Sequence, residues 1–93
     1  MRLKDFLTLQ KVEQAEGDLD QEVTGLVYDS RRVAKGNVFF AVPGEKTDGH
    51  QFVNQAIERG ATAAVVTQSS GLPPGMTFVR VNDVRATLGL WGA

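Results

Sequence analysis

The sequence predicts an α/β domain: a small sheet, mixed or largely parallel, flanked by helices. Short runs with strand character recur at 25–30, 37–42, 63–67 and 77–81, the second and third of them apolar almost throughout. Segments of helical periodicity lie between and beside them, an alternation that points to parallel pairing. The length, 93 residues, allows one modest core, because a chain this small buries only roughly 60–70% of its unfolded surface.

Taken in order, Leu3, Phe6 and Leu7 recur at helical spacing and predict a short amphipathic helix over 1–9. Residues 11–22 are polar and acidic, with Gly17-Asp18 as a turn signal, and read as a connector. The run 25–30 reads as a strand with Leu26, Tyr28 and Ser30 on one face and Val27 and Asp29 on the other. After a turn at 34–36, Asn37 to Val42 is apolar almost throughout and predicts a central strand covered on both faces, with Phe39 and Phe40 packed on opposite sides.

Pro43-Gly44 has the composition of a type II turn. Asp48 and Gln51 stand at capping-box spacing before a helix of about 49–59, whose Phe52, Val53, Ala56 and Ile57 form an apolar face. Gly60 follows in the C′ position. The run 63–67 reads as a buried strand, 68–75 as a Ser/Gly/Pro loop and 77–81 as an alternating strand. Asp83 is placed to cap a last helix from Val84. That helix carries Leu88, Leu90 and Trp91 to an uncapped end, from which we expect a longer natural polypeptide.

Composition excludes several classes. Hydrophobic residues make up 42% and charged residues 23%, which fits a folded soluble domain. A net charge of −1 supplies no field for nucleic acid or an anionic membrane. No apolar run is long enough to span a bilayer, and no secretory signal opens the chain. The absence of cysteine excludes disulfides and thiolate metal sites and fits a cytoplasmic location. With His50 as the one histidine, a His-rich metal site is excluded too. No G-x-S-x-G elbow, Walker-type phosphate loop or G-x-G-x-x-G fingerprint occurs.

Polar groups concentrate instead at two strand ends, Tyr28-Asp29-Ser30-Arg31-Arg32 and Pro43 to Gly49. Ligands of open α/β sheets bind beyond the carboxyl ends of strands. Between Arg31 and Lys46, four basic residues (Arg31, Arg32, Lys35, Lys46) face one acid, Glu45, so this segment is the best anion candidate. A Ser30 hydroxyl can donate and accept, Lys46 can meet a diphosphate as a mobile charge, and Arg31 can grip one bidentately. The plain alternative is that Asp29 and Ser30 form only a side-chain-to-backbone turn beside a solvated basic face.

The stretch 29–50, reading DSRRVAKGNVFFAVPGEKTDGH, resembles the N-terminal signature of the Mur ligases, roughly D-S-R-x-V-x-x-G-x-x-F-x-A-x-x-G followed by D-G. Phe52, Ala56-Ile57, Gly60-Ala61 and Ala63 continue the match, which is strong over about 24–66. Thr47-Asp48-Gly49 is closer to the MurE branch than to the MurF branch.

The resemblance implies a Mur ligase N-terminal domain-like fold. Residues 1–93 would be the UDP-sugar-binding domain of an ATP-dependent amide ligase that adds diaminopimelate or lysine to UDP-N-acetylmuramoyl-L-alanyl-D-glutamate. ATP and Mg2+ would be held by a central domain, absent here with the C-terminal domain; the family's G-T-N-G-K-T loop would begin just past residue 93. This chain itself would bind no cofactor and catalyse nothing. Its substrate contacts would be Ser30, Tyr28 through its backbone, and Glu45, Lys46 and Thr47 in the following loop. A MurF domain and a stand-alone nucleotide-sugar-binding or interaction module are the competing readings.

Overall fold

A computed structural model describes residues 2–7, 12–42, 52–68, 72 and 75–92. Five strands form one sheet in the order β1-β5-β4-β3-β2. These are β1 (Gln14–Glu16), β2 (Gly25–Val27), β3 (Asn37–Phe40), β4 (Ala63–Val66) and β5 (Phe78–Arg80). β2 to β5 run parallel, and β1 closes the far edge antiparallel to β5. The mixed, largely parallel sheet expected from the sequence is therefore present, with β4 in the middle and β3 beside it.

Both faces of the sheet are covered, because alternate residues of a strand point to opposite sides. On one side Val38, Phe40, Val65 and Val79 meet helix α1 (Leu3–Phe6) and helix α3 (Val84–Gly92). On the other, Phe39, Ala41, Ala64 and Val66 meet helix α2 (Val53–Glu58) and Val33. Phe39 and Phe40 thus pack on opposite faces, both fully buried.

Local chemistry fixes the helix ends. Asp83 Oδ1 accepts from the Ala86 amide at 3.0 Å, the expected N-cap. Val84, Thr87, Leu88 and Trp91 then face inward at positions i, i+3, i+4 and i+7. Trp91 folds back into this core: it stacks on Phe6 at 5.0 Å and meets Phe40 edge-on at 5.6 Å. Its apolar bulk is thus accounted for by this domain. Gly60, at φ +109, ends α2 with the paired bonds Gly60 N–H to Ile57 C=O and Ala61 N–H to Ala56 C=O, both 3.0 Å.

Three elements differ from the sequence reading. The supposed connector contains β1, held by Arg80, whose guanidinium reaches Glu13 at 2.9 Å and Gln14 at 3.3 Å. The first strand stops at Val27, and Ser30–Arg32 form a 3-10 turn instead of continuing it. The first helix is four residues long. The turn expected at 43–44 and the capping box at 48–51 lie outside the described residues.

Candidate functional site

The chain turns at Asp29 because its carboxylate captures the backbone ahead of it. Oδ1 accepts from the Arg31 amide at 2.9 Å, capping the 3-10 turn. The same carboxylate holds the Arg31 guanidinium at both ends, with Nε at 3.1 Å from Oδ1 and Nη2 at 3.0 Å from Oδ2. The Arg31 side-chain and backbone hydrogen bonds hold the Asp29 carboxyl down at about 2, from an ordinary 3.8. In return the guanidinium is pushed further towards its charged form. Arg31 is thus paired with Asp29, which corrects the expectation that its fork stands open to a diphosphate.

The turn rotates Ser30 away from the face of Leu26 and towards α2. Ser30 is buried, and its hydroxyl donates to Gln55 Oε1 at 2.9 Å. Around this bond lies a cleft of about 580 Å³ lined by Tyr28, Asp29, Ser30, Arg31, Phe52 and Gln55. It sits beyond the carboxyl end of β2 and beside the start of α2, the position expected for an α/β ligand site. A smaller hollow of about 360 Å³, lined by Leu26, Val27, Tyr28, Asp29 and Arg32, adjoins it. Tyr28, which borders both, is 66% exposed, so its side chain as well as its backbone is available.

Of the sequence-predicted contacts, the structure brings Ser30 and Tyr28 together. Glu45, Lys46 and Thr47 lie outside the described residues. The basic segment does not act as one patch. Lys35 borders a different hollow with Gly36 and Gly60, at the amino ends of β3 and β4, the opposite end of the strands from the cleft. Arg32 flanks the smaller hollow and makes no ion pair with any described residue.

Two lining residues escaped the sequence reading. Phe52, assigned to the core face of α2, is 36% exposed in the cleft wall, whereas Val53 and Ala56 fill the core. Gln55 stands one position short of that core stripe, three residues from Phe52. The 52/55 spacing marks a second helix face and was the available signal.

The low Asp29 value has a testable consequence. Its folded value lies below the ordinary one, so its contribution is present above about 3.8 and is lost as pH falls through about 2. Asn at this position keeps the cap acceptor but loses the charge. The stability gap between wild type and Asp29→Asn is expected to narrow as pH falls from 5 to 2, measured by urea unfolding. A gap constant across that window would show that the charge contributes nothing.

Residues 22–89 match the family model described as "Mur ligase family, catalytic domain". The UDP-N-acetylmuramoyl-L-alanyl-D-glutamate–2,6-diaminopimelate ligase of Geobacter sulfurreducens is 42% identical over 88 residues, covering 95% of this chain and 17% of the relative. The ligase of the same name from Syntrophomonas wolfei is 38% identical over 93 residues, covering 100% of this chain and 19% of the relative. Among solved structures, MurF from Acinetobacter baumannii superposes with a TM-score of 0.80 at 25% identity, covering 98% of this chain and 20% of that one. The chain therefore spans about a fifth of the length of these proteins.

Proposed function

This chain belongs to the Mur ligase family, and from that premise we propose that it is the domain that holds the uridine diphosphate end of UDP-N-acetylmuramoyl-L-alanyl-D-glutamate. The single observation that carries the proposal is the cleft at Ser30. The D-S-R triplet that carries the resemblance makes the turn, and the turn delivers a buried hydroxyl to a cleft walled by Tyr28, Phe52 and Gln55. A cleft at the strand end where the triplet stands supports this reading.

In this reading the longer ligase adds diaminopimelate or lysine in the cytoplasm, and a central domain of the same polypeptide supplies ATP and Mg2+. The described residues do not fit that cofactor. The sequence has no phosphate loop, and no group of three or more His, Cys, Asp or Glu among the described residues is placed to hold a metal ion. Its part is binding and orientation: Ser30 and Gln55 offer hydrogen bonds, the two rings offer flat apolar surface, and Arg32 offers charge for a phosphate. Glu45, Lys46 and Thr47 complete the proposed contact set from the following loop. The identity to diaminopimelate ligases and the Thr47-Asp48-Gly49 sequence favour this branch over MurF.

Titration of labelled protein with uridine diphosphate, followed by NMR, tests the proposal. Shifts are expected at Tyr28, Ser30, Phe52 and Gln55. Ser30→Ala is expected to weaken binding by about 0.5–1.5 kcal/mol, the worth of one neutral hydrogen bond. Shifts confined to 68–75, with the cleft unmoved, would place the nucleotide elsewhere and end the proposal.

A further inference from the structure

The Ser30–Gln55 hydrogen bond has a direction, and the direction determines what the cleft can read. A serine hydroxyl carries one proton, and Ser30 gives it to Gln55 Oε1 at 2.9 Å. What remains on Ser30 Oγ for a ligand is a pair of acceptor lone pairs. Gln55 turns its carbonyl towards Ser30, using one of its two lone pairs there, and its Nε2 keeps two donors with no partner among the described residues. The side chain is exposed on α2 and lines the cleft. The two residues therefore present an acceptor next to a donor, polarised by the bond between them.

An acceptor beside a donor complements a ligand edge with a donor beside an acceptor. The imide edge of uracil is such an edge, with N3–H adjacent to a carbonyl. With the ring held in the same place by its ribose and the stacking walls, cytosine reverses it, setting a bare N3 acceptor where uracil has N3–H and an amino donor where uracil has O4. The acetamide of an N-acetyl sugar does not match either, because its trans N–H and C=O point in opposite directions. The walls suit a flat base as well: Tyr28 and Phe52 are large aromatic side chains left 66% and 36% exposed in the same cleft, and exposed rings are stacking platforms for bases.

We propose that Gln55 is a specificity-determining residue of this site, selecting uracil over cytosine through its amide donor while Ser30 accepts from N3–H. The inference rests on the reading of the cleft as a uridine diphosphate site.

Uridine diphosphate and cytidine diphosphate carry the same ribose and diphosphate, so phosphate and sugar contacts cancel in their comparison. Calorimetric or NMR titration of the 93-residue chain with each gives the ratio directly. The wild type is expected to prefer uridine diphosphate by about 3- to 10-fold, and Gln55→Leu to lose uridine diphosphate affinity by a similar factor with little change for cytidine diphosphate. The preference would then collapse in the variant.

Asn54→Leu, an exposed neighbour on the same helix, is the control and should keep the ratio. Equal affinity for the two nucleotides, a preference for cytidine diphosphate, or an unchanged ratio in Gln55→Leu would overturn the role of Gln55 and leave the site reading standing. Failure of the wild type to bind uridine diphosphate would remove the site reading itself, and this inference with it.

Discussion

Replacing Phe40 by alanine is expected to destabilise the domain by about 3–5 kcal/mol, the usual cost of emptying a core phenylalanine site. Phe40 is fully buried and meets the edge of Trp91, which is itself stacked on Phe6. The three rings join β3, α3 and α1, so the cavity would open where two helices are fastened to the sheet. α1 has only four residues and no separate means of staying folded, so the site has limited capacity to collapse around the gap. A domain of this size has roughly 5–15 kcal/mol in total. The variant should therefore melt well below the wild type, with partial unfolding at ambient temperature within range.

Urea unfolding followed by far-ultraviolet circular dichroism measures the loss. Trp91, the one tryptophan, gives a fluorescence signal for the same core. A variant of unchanged stability that no longer bound nucleotide would show that the ring faces a ligand.

The second large effect is expected at Gly17. This residue lies at the end of β1 with φ +100, a conformation that costs a side-chain-bearing residue roughly 1–3 kcal/mol. Space forbids a side chain as well: a Cβ there would stand 2.6 Å from Thr77 Cα and 2.3 Å from Thr77 Oγ1. Both are too close, and the first is backbone, so the strand and its neighbour would have to separate, with an overpacking cost of roughly 1–3 kcal/mol more.

Separation would also break a polar cluster. Thr77 Oγ1 accepts from the Asp18 amide and from Gln21 Nε2, each at 3.0 Å, and Gln21 Oε1 accepts from Thr62. Gly17→Ala should thus lower the unfolding midpoint and speed amide exchange first along β1. Exchange in β2 and at Ser30, on the other edge of the sheet, should rise only with global unfolding. Stability equal to wild type would mean that β1 is not held against β5 in this way.

These two residues show where the sequence was legible. Phe40 sits in a run of apolar residues, and such a run has few fates other than a strand covered on both faces. β1 is three residues of Gln, Ala and Glu, with no apolar alternation to announce it. It exists because the edge of β5 offers unpaired backbone groups and Arg80 offers partners for Glu13 and Gln14, all more than sixty positions away in sequence. The site divides in the same way. Asp29-Ser30-Arg31 was legible as a turn or as a binding triplet, and it proves to be a turn that builds the cleft. Its capping bond is local, from Asp29 to the amide two residues on.

What the sequence determined by itself is whatever local or periodic chemistry decides: the apolar strands, the inward stripe and Asp83 cap of α3, the Gly60 terminus of α2, and the strand end at which Ser30 stands. What only the tertiary structure decided depends on which distant groups are brought together. It sent Lys35 to the amino ends of the strands, away from the cleft, and turned Phe52 out of the core. It also set Gln55 against Ser30 across 25 positions of chain. A charge count along the sequence adds the basic residues into one patch. Coulomb and hydrogen-bond energies depend on separation in space, and the turn at Asp29 and the crossover into β3 separate what the sequence places side by side.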